Sequence, residues 1–207
     1  MNLSDLPIAE IKDVIVALSA LGAVIIGWRG LQEWKAELAG RAQFEAAKKL
    51  LKLAFQFREQ FGIVRSPMTY ATEYIGREKS EKETPTESSV LDEWYAKSER
   101  LKPLLETSAQ MREASWEAEI VIGIDGDELI QPFRDVAKEL SVAIRGYFDT
   151  NLMEARSSDP SRNLLPLETK KQLHGEIYGM NDDFEKGVDE GIETLKQRLE
   201  KHLRPRF

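Results

Sequence analysis

Val14–Trp28 (VIVALSALGAVIIGW) is a run of fifteen residues without a charge, bracketed by Lys12-Asp13 and by Arg29. As a helix it covers about four turns and has no polar face. A helix lying in a membrane interface needs such a face, so this run is suited to crossing a bilayer or to burial inside protein. At about 1.5 Å per residue it spans roughly 22 Å against about 30 Å of hydrocarbon. Ile8 and Ile11 lengthen it outward, Leu31 and Trp34 inward, and Lys12 and Arg29 can carry their charges out to the headgroups. The expectation is a transmembrane anchor, with a core helix of a soluble bundle as the alternative. A secretory signal wants a basic start, and Asp5 and Glu10 make this one acidic.

Charge gives the anchor a direction. Residues 1–28 hold one Lys against three acids, whereas residues 29–65 hold eight Lys/Arg against four Glu. Positive flanks stay on the cytoplasmic side, which predicts roughly ten residues outside and residues 29–207 inside. Trp28 and Trp34 lie where aromatic rings favour the headgroup layer. The net charge of −7 argues against non-specific binding to nucleic acid. No Cys is present, which excludes disulfides, thiol nucleophiles, iron–sulfur clusters and cysteine zinc sites. With His174 and His202 the only histidines, a histidine-rich metal centre is out of reach.

Beyond the anchor the pattern is helical throughout. Leu31, Trp34, Leu38, Ala47, Leu50, Leu51, Ala54, Phe57, Phe61 and Val64 recur at steps of three and four, so residues 29–75 read as a long amphipathic helix and turn, stopped by Pro67. Residues 76–89 (GREKSEKETPTESS) lack large apolar side chains and read as a flexible polar linker. Ser89 with Asp92 then reads as the cap of a helix bearing Trp94, Leu101, Leu104, Leu105, Met111 and Trp116, which Pro103 should kink or split. Gly123 and Gly126 interrupt the pattern. A seam of Leu129, Phe133, Val136, Leu140, Ala143 and Tyr147 follows, then a short helix near Leu167–Ile177. Last comes a helix from about Asp183 to Leu203 with Val188, Ile192, Leu195 and Leu199 on one side. The fold class expected is all-α: an N-terminal transmembrane helix (residues 1–28 with its short tail) and a cytoplasmic antiparallel bundle of four or five helices, formed by 90–207 packing with 29–66.

Chemistry is harder to find. Asp125, Asp127 and Glu128 form an acidic cluster beside glycines that could hold a hard cation, but the twelfth position of an EF-hand loop here is Val136. Their plainer reading is as caps of the following helix. Asp182 followed by Glu185 fits another cap, and His174, near Glu176 and Asp182, fits a packing residue at a helix end better than a base. No G-x-S-x-G, P-loop or G-x-G-x-x-G occurs. Catalytic, metal and cofactor residues are therefore assigned to none. A carboxylate-dependent enzyme is the alternative, with Asp125, Asp127, Asp182 and Asp183 as its candidates.

The order of landmarks resembles an uncharacterised family of bacterial single-pass membrane-anchored helical proteins. The residues that carry the likeness are Trp28-Arg29-Gly30-Leu31, Leu38-Ala39-Gly40-Arg41 and Phe44-Glu45-Ala46-Ala47-Lys48-Lys49-Leu50-Leu51, followed by Val142-Ala143-Ile144-Arg145, Tyr178-Gly179 and Asp182-Asp183-Phe184. The resemblance implies a bacterial inner-membrane setting and brings no activity. Taken with the residues, it leads to the expectation of a membrane-tethered interaction or scaffold module whose partners are the lipid bilayer and either another protein or a second copy, with no nucleic acid or small-molecule ligand inferred. A soluble binding module with residues 14–28 as a core helix is the other alternative.

Overall fold

The structure is a computed structural model, and it describes residues 8–157, 166–179 and 183–204. Among these the chain is all-helical, with no strand. Five α-helices follow in order: α1 (Ile8–Arg65), α2 (Pro85–Ile122), α3 (Gly126–Arg156), α4 (Leu167–Tyr178) and α5 (Asp183–Leu203). One short 3-10 turn, Ala71–Glu73, lies in the connector between α1 and α2.

The first helix is a single element of 58 residues with two unlike halves. Its second half carries Ala46, Ala47, Leu50, Ala54, Phe57, Phe61 and Val64 into the core. Its first half is exposed where described: the large apolar residues from Val14 to Trp28 are 56–74% exposed, and no residue of the most apolar stretch is buried. Among the described residues the run is therefore not buried as a core helix. By length and composition α1 can cross a membrane. The stripe foreseen from Leu31 to Val64 divides at the same place, because Leu31, Trp34 and Leu38 are exposed and lie on another face from the buried residues.

Helices α1, α2, α3 and α5 share one core with α4 against its edge. Residues meet in descending order along neighbouring helices. Gln43 bonds the carbonyl of Val121, Lys49 pairs with Glu117, Gln56 bonds Thr107 and Lys97 reaches the carbonyl of Val64. Between α3 and α5, Arg198 meets Glu128. Phe57 of α1 packs edge-on against Phe133 of α3 at the centre, with ring centroids 5.4 Å apart. The stripe on α5 is buried as expected, Val188, Ile192, Leu195 and Leu199 all facing the core.

Three local expectations are corrected. The cap of α2 is Thr84, whose hydroxyl accepts from the amide of Glu87, with Pro85 at the first helical position, so the helix starts before Ser89. It also runs unbroken through Pro103, which is exposed, so the Glu99 carbonyl left without a donor sits on a water-facing side. And α2 does not bury Leu105 or Trp116, both of which are exposed. Its inner face carries Ala96, Leu104, Thr107, Met111, Ala114, Ser115 and Ala118, mostly small residues suited to a helix wedged between two others. The break before α3 is as foreseen: Gly123 ends α2 with φ +76° and its amide on the Glu119 carbonyl. Gly126 opens α3 so close to the backbone of Ser115 that a Cβ there would collide with it.

Candidate functional site

Polar groups gather where α1 ends and α2 begins. Ser66-Pro67 stops α1, which leaves its last carbonyls without helical donors. Two cations of α2 supply them. Lys97 donates from Nζ to the carbonyls of Val64 and Ser66, each at 2.8 Å. Arg100 donates to the Ser66 carbonyl at 3.1 Å and to both carboxylate oxygens of Glu73, at 2.5 and 2.6 Å. The Lys97 ammonium also lies 4.3 Å from the centre of the Tyr178 ring, whose hydroxyl donates to Glu93.

Burial decides what these groups can do. Lys97 is fully enclosed, and that pushes its ammonium down to about 8 from 10.5, with the nearby charge of Arg100 pushing the same way and Glu93 and Glu73 opposing it. Tyr178 moves upward, first because it is buried and then because Glu93 accepts its proton in a hydrogen bond. A lysine titrating near neutrality is a nucleophile in an open pocket. Here both neighbouring carbonyls and the Tyr178 ring cover it, so its geometry is that of a helix cap.

The segment expected to be a flexible linker is tied down beside this cluster. The guanidinium of Arg77 reaches Glu83 at 2.8 Å, Asp92 at 2.6 Å and Ser88 at 3.1 Å, and Lys79 adds 2.7 Å to Asp92. Arg77 and Lys79 hold the Asp92 carboxyl below its usual range against the opposing effect of burial. Arg77 together with the Ser80 amide brings Glu83 down to about 2. An open cleft of about 470 Å³ lies alongside, lined by Pro67, Thr69, Tyr74, Pro85, Ser88, Ser89, Asp92 and Glu93.

The acids singled out in the sequence lie elsewhere. Asp125 caps α3 through the Glu128 amide at 3.0 Å, Asp127 pairs with Arg134 at 3.2 Å, and Glu128 pairs with Arg198 at 2.9 Å. Asp182 and the side chain of Asp183 lie outside the described residues. His174 is partly buried among rings, 4.4 Å from Tyr178 and 5.9 Å from Tyr147 by centroid. The Glu176 carbonyl accepts from Arg65 at 3.0 Å. No group of three potential metal ligands comes together among the described residues.

Lys97, Arg100 and Arg77 did not stand out in the sequence, and Tyr178 did so only as a landmark of the resemblance, with no partner foreseen. For Lys97 a signal was available: Val90, Trp94, Lys97, Leu101 and Leu104 step by four and three, and a lysine inside such a seam is a buried-cation candidate. Arg77 offered none, since its partners stand six and fifteen residues away. Comparison of the chain with protein-family models, curated proteins and solved structures finds no match to any of them.

Proposed function

We propose that this chain is a membrane-tethered interaction or scaffold module: residues 14–28 cross the bacterial inner membrane, and residues 29–207 form an antiparallel helical bundle in the cytoplasm that binds a protein partner or itself. The observation that carries this reading is the division of α1. One unbroken helix runs from a wholly exposed apolar half into a half that is core. So much contiguous apolar surface needs a cover, and no part of the described chain supplies one. A bilayer covers a helix with no polar face, because every backbone group in the span is bonded within the helix. The pairings of Gln43 with Val121, Lys49 with Glu117 and Lys97 with Val64 support the antiparallel order. The basic flank after Trp28 supports an inward body. A reporter fused after Phe207 tests the orientation. It is expected to be active only as a cytoplasmic reporter, and activity of a periplasm-dependent reporter at that site contradicts the reading.

A further inference from the structure

The apolar surface of α1 does not end with its uncharged run. Leu31, Trp34 and Leu38 follow at steps of three and four and are 42%, 59% and 55% exposed. At about 100° per residue they fall within about 60° of one another, while Arg29, Glu33 and Glu37 lie about 90° or more from the middle of that stripe. Lys35 stands at its edge, where a long stem lets an ammonium reach the headgroups. Residues 29–38 are therefore amphipathic, the pattern of a helix whose apolar face enters a lipid interface.

Length argues for a tilt. The uncharged run alone is shorter than the hydrocarbon is thick. With the stripe added, the apolar side from Val14 to Leu38 is about 36 Å long, against about 30 Å of hydrocarbon. A span longer than the bilayer core fits by tilting, over a usual range of about 0–40°, and about 35° brings this one within the core.

The fold says which way. Leu31 stands eighteen residues before Lys49, and Leu38 eighteen before Gln56, which is five whole turns at about 3.6 residues each, so each pair shares one side of α1. Lys49 and Gln56 are bonded to α2, through Glu117 and Thr107. The stripe is therefore on the α2 side of α1, and α2 ends below it at the level of Gln43, which bonds the Val121 carbonyl. Helix α5 is on the other side: Arg58, about 180° round α1 from Lys49, pairs with Asp189. Its end lies at the same level, His202 meeting Gln43 at 3.1 Å.

A tilt that lays the stripe in the bilayer is thus a tilt toward α2, and it carries the end of α2 with it. That end is about 7–8 Å beyond Leu38 along α1, and a headgroup layer is about 5–7 Å deep, so the last turn of α2 comes to the headgroups. Ile120, in that turn, is 84% exposed, and a lipid surface covers it together with the stripe. The acids nearby do not oppose the contact. Glu117, Asp127 and Glu128 are ion-paired and Asp125 caps α3, while Glu119 lies about 100° round α2 from Ile120.

We infer that α1 crosses the bilayer tilted toward α2, and that the bundle leans on the lipid headgroups through Trp34, Leu38 and Ile120. This rests on the membrane reading, and its test scores the two separately. The chain has no cysteine, so a single substitution gives the only thiol for a fluorescent label. Full-length Leu21→Cys, Ala36→Cys, Leu38→Cys, Ile120→Cys and Lys201→Cys, all at exposed positions, are labelled and reconstituted into phosphatidylcholine vesicles that carry a nitroxide quencher on the acyl chains or on the headgroups. Leu21 reports the anchor. Ile120 and Lys201 are at one height on opposite sides of α1, so an upright helix gives them equal quenching and a leaning one does not. Acyl-chain quenching at 21, with headgroup quenching at 120 at least about threefold that at 201 and 38 above 36, is the result expected for a tilt near 35°. Acyl-chain quenching at 21 with equal headgroup quenching at 120 and 201 overturns the lean and leaves the anchor in place. A label at 21 that acyl-chain nitroxides do not quench overturns the anchor, and the lean with it.

Discussion

The ammonium of Lys97, in α2, sits 2.8 Å from the carbonyl oxygen of Val64, in the last turn of α1, and so joins the start of one long helix to the end of the other. A cation at this position also meets the negative end of the α1 dipole. Lys97→Ala takes the lysine donor from the Val64 carbonyl, leaves the Ser66 carbonyl with Arg100 alone of its two donors, and empties the space beneath Tyr178. Truncating a long buried side chain costs about 2–5 kcal/mol, and that is the loss expected in a urea melt of the full chain in detergent. Lys97→Met refills the space, so it should recover part of the loss. Equal melts for Ala and Met would show that the stem contributes nothing by packing.

The same lysine gives stability a pH dependence of definite sign. In the unfolded chain it keeps its proton to about 10.5, while in the fold it lets go at about 8. Between these values the unfolded state binds more protons, so stability rises with pH, by at most about 3 kcal/mol at roughly 1.4 kcal/mol for each pH unit. Tyr178 acts in the opposite sense: held protonated in the fold above its ordinary 10.0, it makes stability fall once the unfolded chain ionises. Urea midpoints across about pH 7 to 11 are expected to rise from about 8, peak near 10 and then decline. Lys97→Met should lose the rise and keep the decline. A rise that survives in Lys97→Met contradicts the assignment.

The last helix offers a comparison within one element. Leu195 is fully buried in the shared core, whereas Glu193 is exposed and pairs with Lys196. Leu195→Ala should lower stability by about 2–5 kcal/mol. Glu193→Ala should change it by less than about 0.5 kcal/mol. Detergent-solubilised full chain and both variants, melted in parallel, check this. Coincident melts of all three would mean that the α5 stripe is not buried in solution.

Much of this architecture was legible because it rests on local rules. The α5 stripe, the stop at Pro67 and the Asp125 cap each follow from a few neighbouring residues, and each is where it was expected. What escaped depends on distant partners. Arg77 looks like any charged residue in a polar stretch until Glu83 and Asp92 close around it, and then the supposed linker becomes a braced turn leading into a helix capped at Thr84. Counting large apolar residues favoured Leu105 and Trp116 on α2. The interior instead took Ala114, Ser115 and Ala118, because closeness to α1 and α3 selects for small side chains. The seam around Lys97 is readable, but its acceptors are not: they are carbonyls at the end of α1, more than thirty residues away, which only the tertiary structure brings beside it.

The central claim is that residues 14–28 are covered by a bilayer, and carbonate extraction of membranes from cells expressing the full chain tests it most directly. A helix with fifteen uncharged residues and no polar face should hold the chain in the pellet, while a 29–207 fragment stays in the supernatant as a folded helical protein. Recovery of the full chain in the carbonate supernatant would contradict the account, and the exposed half of α1 would then have to be covered by protein.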